Sequence, residues 1–251
     1  MKKNVLVLFI ITILSAVAFG QDVKGNFKGL TLTLLAVKSE VLPLVPIDFK
    51  VAVTNNSQTP IKVDGRLSFS TSSVGMEIKK PNGKTVTPNG LSHVRARSIF
   101  FPKDLASGES MESSEVFDFK TQTYFGTPGR YQVRASYKNG GGQKIFSDWV
   151  EVTLIEPVGT EKAAYDFLYK IMQKTHFPFT YWSTEELEDF VLKYAGTGYS
   201  NHARYTLGEH YFDHEKDKAE EQFRAITDST FVYSEQVRER LRKLESQKKQ
   251  N

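Results

Sequence analysis

One stretch, Thr127–Ile155, constrains the fold of this chain more than any other. It holds two strand-like runs joined by a glycine-rich turn. In the first run Tyr131, Val133, Ala135 and Tyr137 share one face, while Gln132, Arg134 and Ser136 share the other, the period-2 pattern of a half-buried strand. Asn139-Gly140-Gly141-Gly142 then turns the chain. The return run, Lys144 to Ile155, alternates Val150, Val152 and Leu154 against Glu151 and Thr153. A lone hairpin is marginal in water, so its apolar face requires a second sheet.

The residues before the hairpin can supply that sheet. Ile47, Phe49, Val51 and Val53 point one way, with Asp48 and Lys50 opposite. Leu30, Leu32 and Leu34 form a similar run, as do Ile61, Val63, Leu67 and Phe69, then Met76 and Ile78, and finally Phe117 and Phe119. Turn-forming stretches separate them: Asn55 to Pro60, Pro81-Asn82-Gly83, and Leu105 to Ser110. About seven short strands with such punctuation predict two packed antiparallel sheets. The chain contains no cysteine, so disulfides and thiol catalysis are excluded and stability must come from apolar burial.

The first twenty residues read as an export signal. Lys2 and Lys3 precede an apolar run from Val5 to Leu14, and Ala18-Phe19-Gly20 offers small residues for cleavage near Gly20. Removing them leaves about 230 residues, enough for one or two domains. Formal charge falls from +4 to +2, with 33 − 2 = 31 basic residues against 29 acidic ones. No basic stripe stands out, which argues against a nucleic-acid partner. No second apolar run is long enough to span a membrane.

The run Asn55-Asn56-Ser57, the turn Leu105-x-x-Gly108-Glu109-Ser110, and Pro128-Gly129-x-Tyr131-x-Val133-x-Ala135-x-Tyr137 resemble the immunoglobulin-like domains of bacterial exported proteins. Ser147 to Thr153 fits the same pattern, without the two cysteines of antibody domains. The resemblance implies a tyrosine corner at Tyr131, with a buried ring and a hydroxyl bonded to nearby backbone. It leaves function open, because such modules act as spacers, adhesins or binding platforms.

Alternation stops at Glu156-Pro157-Val158-Gly159, and helical spacing takes over. Thr160 is an N-cap candidate for a helix carrying Ala164, Phe167, Leu168 and Ile171. Ser183-Thr184-Glu185-Glu186 is a capping box ahead of Leu187, Phe190, Val191 and Tyr194. Further helices are predicted from near Ser200, over about Asp217 to Ile226, and from Ser234. Leu207-Gly208-x-x-Tyr211 with Ala219-x-x-x-Phe223 resembles a tetratricopeptide-type helical hairpin, in which a small glycine admits the later aromatic.

The expected fold is thus an all-β immunoglobulin-like sandwich plus a C-terminal all-α helical-hairpin segment. Its divisions are a signal peptide at 1–20, the sandwich at 21–157 and a tetratricopeptide-like segment at 158–251.

The candidate binding residues are aromatic. Phe177, Phe179, Tyr181 and Trp182 crowd into one short run, and Trp149 faces away from the sandwich core. They could grip an apolar peptide or stack on sugars, or they could simply wedge between elements; the helices are expected to dock over Trp149. Arg95, Arg97, Phe100 and Phe101 fall in the longest irregular stretch, which equally suits a binding loop or another strand. His210 and His214, four apart on a helix, have metal-ligand spacing but no third ligand in a tight motif. No Gly-x-Ser-x-Gly elbow, phosphate-binding glycine loop or His-Glu-x-x-His pattern occurs. The expected function is a non-enzymatic, cofactor-free interaction module of the bacterial envelope, exported and recognising protein or glycan. The alternatives are a hydrolase or metal-dependent enzyme with its site between the two parts, or a structural spacer.

Overall fold

The computed structural model describes residues 29–69, 73–88, 101–117, 124–138, 144–175 and 183–248. The expected export signal, the Asn139–Gly142 turn, Arg95, Arg97 and Phe100 lie outside them. Eleven strands come first in these residues: β1 (Leu30–Ala36), β2 (Glu40–Val41), β3 (Ile47–Asn55), β4 (Ile61–Asp64), β5 (Val74–Lys79), β6 (Thr85–Val86), β7 (Pro102–Leu105), β8 (Ser110–Phe117), β9 (Gly129–Lys138), β10 (Lys144–Phe146) and β11 (Val150–Leu154). Five helices follow: α1 (Gly159–Thr175), α2 (Thr184–Tyr194), α3 (Ser200–Tyr211), α4 (Lys216–Arg224) and α5 (Ser234–Lys248). None of these helices is long and apolar enough to cross a membrane.

The strands form three sheets. One has the order β1-β3-β8, a second runs β2-β11-β9-β5-β6 with β10 also on β9, and β4-β7 stand as a separate pair. The alternating faces of β1 and β3 are buried as their sequence predicts, with Phe49, Val51 and Val53 fully enclosed. They meet Tyr131, Val133 and Tyr137 of the larger sheet in one core. The return run of the hairpin is broken in two. Phe146 pairs with Ser136, but Val150 pairs with Val133, so between these pairs three residues on one strand (Ser147, Asp148 and Trp149) oppose two on the other (Arg134 and Ala135). This is a β-bulge. Ser147 holds it by accepting a 2.9 Å bond from the Ala135 amide through Oγ and donating its own amide to the Ala135 carbonyl at 3.0 Å.

These features correct the expected fold class and the family resemblance behind it. The chain is mixed α and β, not an all-β immunoglobulin-like sandwich with an appended tetratricopeptide-like segment. β2 pairs with β11 in parallel, a third small sheet exists, and the helices share their core with a loop from the strand region. Alternation reports which face of a strand is buried but not its partner, so neither the parallel pair nor the third sheet could be read from it. The Tyr131 hydroxyl does donate to the Thr127 carbonyl at 2.7 Å, a local arrangement that does not need the family's fold.

The shared core depends on the β2–β3 connection. Leu42-Pro43-Leu44-Val45 is a turn closed by the Val45 amide donating to the Leu42 carbonyl at 3.3 Å. Proline occupies its second position, and Leu44 takes the third at φ 67°. This is the type II pattern, which ordinarily favours glycine at that place. Leu44 is nonetheless buried among helical side chains that include Leu168, Phe190 and Tyr199. Burying a leucine side chain contributes roughly 1.5–3 kcal/mol, enough to offset a backbone strain of order 1 kcal/mol. Close by, Leu42 lies against Gly198, where an added Cβ would come within 2.9 Å of the Leu42 Cδ1.

Within the helices, the Glu186 amide donates to Ser183 Oγ at 3.2 Å and the Ser183 amide donates to Glu186 Oε2 at 3.1 Å. This reciprocal pair caps α2. Gly208 lets α3 and α4 approach: a Cβ there would sit 2.5 Å from a Phe223 ring carbon. The five helices have unequal lengths, from 9 to 17 residues. Leu44 joins the core they share, and the helices are not equal repeats.

Candidate functional site

A cleft of about 710 Å³ opens between the outer face of β1-β3-β8 and the helices. The sheet contributes Asp48, Lys50, Ser114 and Val116. The connections around β2 add Lys38, Leu42 and Val45, and Ile155 follows β11. From the helical side come Asn201 and His202 of α3 and the loop Asp228 to Val232. The size lies within the range of ligand pockets, about 300–1,000 Å³.

Asp48 is the unusual group. It stands on the polar face of β3, half-buried, and its Oδ1 is enclosed with no hydrogen-bond partner among the described residues. Burial pushes its carboxyl above the usual range, and the charge of Lys50 offsets only part of that. Asp228, across the cleft, is different. Its Oδ1 accepts from the Thr230 hydroxyl at 2.6 Å and the Thr230 amide at 2.8 Å, and its Oδ2 lies 3.5 Å from Lys38 Nζ. The Thr230 hydroxyl, then its amide and Lys38, hold it below the usual range against some burial. Glu235 is engaged by Arg238 at 2.5 Å and Arg242 at 3.5 Å.

His202 lines the inner end of the cleft and is only 4% exposed. Its ring meets Phe231 at 4.8 Å and Tyr233 at 6.2 Å between centroids, both edge-on. Burial, helped by Lys38, pushes its imidazole down to about 3, so it is neutral at physiological pH. Sequence reasoning weighed His210 and His214 and passed over His202. Both of those are exposed, and among the described residues no group of three or more His, Cys, Asp or Glu side chains could hold a metal ion. His202 stands one position before the apolar Ala203 and four before Thr206, so helical spacing alone gave it no distinct signal.

Trp149 lies elsewhere. It is 37% exposed and stacks on the guanidinium of Arg134 at 4.6 Å, while Phe146 covers the same group at 4.5 Å. Arg134 is in turn bonded to Glu77 at 2.7 Å. This ladder sits on the larger sheet, whereas the helices face β1-β3-β8. Phe177, Phe179, Tyr181 and Trp182 lie outside the described residues. Phe101 is half exposed, beneath the guanidinium of Arg66 at 4.5 Å.

No protein family matches the chain, and no curated protein matches it. Similar solved structures include a β-glucosidase from Erythrobacter marinus, at 11% identity and a TM-score of 0.32, covering 51% of this chain and 15% of that one. Another is the alkylpurine DNA glycosylase AlkC of Pseudomonas fluorescens bound to DNA containing an abasic site analog, at 14% identity, TM-score 0.30, and 51% and 31% coverage. The sporulation control protein Spo0M of Bacillus subtilis matches at 10% identity, TM-score 0.32, and 57% and 56% coverage. The chain spans less than two thirds of each of these proteins. At such scores the likenesses carry no argument about fold, activity or ligand.

Proposed function

We propose that this chain is an exported, non-enzymatic binding module of a bacterial envelope, and that it grips a segment of a protein or glycan partner in the cleft between sheet and helices. The observation that carries the reading is the cleft of about 710 Å³ between sheet and helices, whose walls combine Val45, Val116, Ile155 and Val232 with polar groups from both sides. The signal-like segment ending near Gly20 supports export, and the mixed charge of the mature chain disfavours a nucleic-acid partner. A hydrolytic reading would use the raised Asp48 carboxyl as an acid. It is the weaker one, because Asp228 and Glu235 are already tied to Lys38, Arg238 and Arg242, and the remaining carboxylate of the lining, Glu40, is exposed at the rim, where no described residue holds it opposite Asp48.

The test is capture from envelope fractions by the mature protein, compared with Val116→Trp, which fills the cleft from the outer face of β8. Loss of the same partners in a variant with unchanged thermal unfolding supports the cleft. Undiminished capture, with loss in a Phe179→Ala/Trp182→Ala variant instead, moves the binding surface to the aromatic run.

A further inference from the structure

The outer edge of β1 is a second surface, independent of the cleft. We infer that it pairs with the β1 edge of a second copy of this chain, antiparallel across a twofold axis, so that two three-stranded sheets join into one. On its inner side β1 pairs with β3 in unbroken register, from Leu30↔Asn55 to Ala36↔Phe49, and no described strand pairs with its other side. The flanking bonds fix which residues face outward. The Gly29 carbonyl accepts from the Asn56 amide at 2.6 Å, and the Val37 amide donates to the Asp48 carbonyl at 2.9 Å. The odd-numbered residues between them therefore turn their backbone groups toward β3, and Leu30, Leu32, Leu34 and Ala36 turn theirs away. Those outward amides and carbonyls meet no hydrogen-bond partner among the described residues. Open edges are ordinarily blunted by charge, proline, a bulge or short length. Among the other described strands, β2, β6 and β10 have only two or three residues. The β4-β7 pair carries Lys62, Pro102, Lys103 and Asp104, and β5, β8 and β11 carry Glu77, Glu112 and Glu151. Leu30–Ala36 has none of these devices.

Self-complementarity identifies the occupant. A twofold through Thr33 sets all seven residues of the strand opposite a counterpart. The outward-bonding Leu32 and Leu30 then meet Leu34 and Ala36 of the second copy. On the solvent face Thr33 meets its own equivalent, and Thr31 meets Leu35. The strand holds no charge, so the pairing sets no like charges together, and Leu35, 58% exposed, gains a cross-strand neighbour. A foreign strand would be selected by charges along the edge, and β1 offers none.

The test is sedimentation equilibrium of the mature protein over a wide concentration range, beside Thr33→Lys and Thr33→Glu. Thr33 is exposed, so both changes leave the single chain intact while placing like charges together at the twofold. The native chain is expected to dimerise as concentration rises. Each variant alone should weaken the dimer by about tenfold, and an equimolar mixture of the two should restore it, because lysine then meets glutamate. A native chain that stays monomeric at every concentration overturns the inference. A dimer that neither variant weakens, or that mixing fails to restore, overturns it as well, since the contact then lies elsewhere. Should either variant fail to fold, amide exchange of the native protein decides. The Leu32 and Leu34 amides are expected to gain protection as concentration rises. Protection of those amides that is independent of concentration overturns the second copy as the occupant.

Discussion

Inside their cores the strand and helical regions differ in how the largest buried polar side chains are satisfied, Asp48 lying outside the strand core on the cleft face of β3. Among the strands, the Tyr137 hydroxyl donates to the Asp64 carbonyl at 3.0 Å and accepts from the Asp64 amide at 2.8 Å. Asn55, fully buried, donates to the carbonyls of Thr59 and Leu105 at 2.9 and 2.8 Å and accepts from the Ser57 amide at 2.9 Å. Among the helices, the fully buried Tyr199 hydroxyl and Glu161 Oε2 have no partner among the described residues. Burial first, then Glu161 and Tyr165, pushes the Tyr199 phenol upward. A satisfied polar group fixes one arrangement, and an unsatisfied one makes its surroundings cheaper to open. Part of the packing in the helical core is supplied by Leu44, from the strand region.

The strongest way to break this comparison is Leu44→Ala. The substitution lies in the strand region, yet its effect should fall on the helices. Truncating a buried leucine costs about 2–5 kcal/mol, and hydrogen exchange should show protection lost in α1, α2 and α3 while β3 and β9 remain protected. Loss spread evenly over both regions would refute the division. Next comes acid. The folded His202 titrates near 3, well below its unfolded value of about 6.5. Both states are neutral above pH 6.5. Below it the unfolded chain takes up a proton that the folded one refuses. Stability should then fall by up to about 1.4 kcal/mol per pH unit between roughly pH 6.5 and 3. Asp48, raised by burial, acts in the opposite sense, since its folded form binds a proton first. Denaturant midpoints measured from pH 7 to 5 should flatten in His202→Phe, and an unchanged slope there would assign the acid sensitivity elsewhere.

A smaller and sharper test pairs two tyrosines. Tyr137→Phe leaves the Asp64 amide and carbonyl without their shared partner and should cost about 1–2 kcal/mol in urea unfolding. Tyr199→Phe removes a hydroxyl that bonds to nothing described, and should be neutral or slightly stabilising. Equal losses would mean that the helical core is as well satisfied as the strand core. The smallest effect is expected at Lys38→Ala. Its pair with Asp228 spans the two regions, but both side chains are over 40% exposed, so about 0–1 kcal/mol is expected, vanishing in high salt.

What could be read in advance was local. The alternation of Ile47 to Val53 gave the buried face of β3, Ser183 with Glu186 marked the start of α2, and Gly208 with Phe223 gave the close helix contact. The unreadable parts depend on residues far apart in sequence. Nothing near Glu40 announces a parallel partner in β11. The bulge at Ser147 is set by its pairing with Ala135. Leu42 to Val45 looks like an ordinary apolar run, and only the tertiary contact makes its positive-φ leucine worthwhile. Lysines and carboxylates from four separate segments meet in the cleft, so none of them forms a local pattern as dense as the rings of Trp149 and residues 177–182.

The wedge at position 44 also orders events during synthesis. It leaves the ribosome more than a hundred residues before the last helix is made, so the carboxy-terminal helices emerge into the presence of the hydrophobic piece they enclose. Cut free of that piece, they would expose a greasy hollow to solvent, and the isolated fragment should self-associate rather than persist as a monomer.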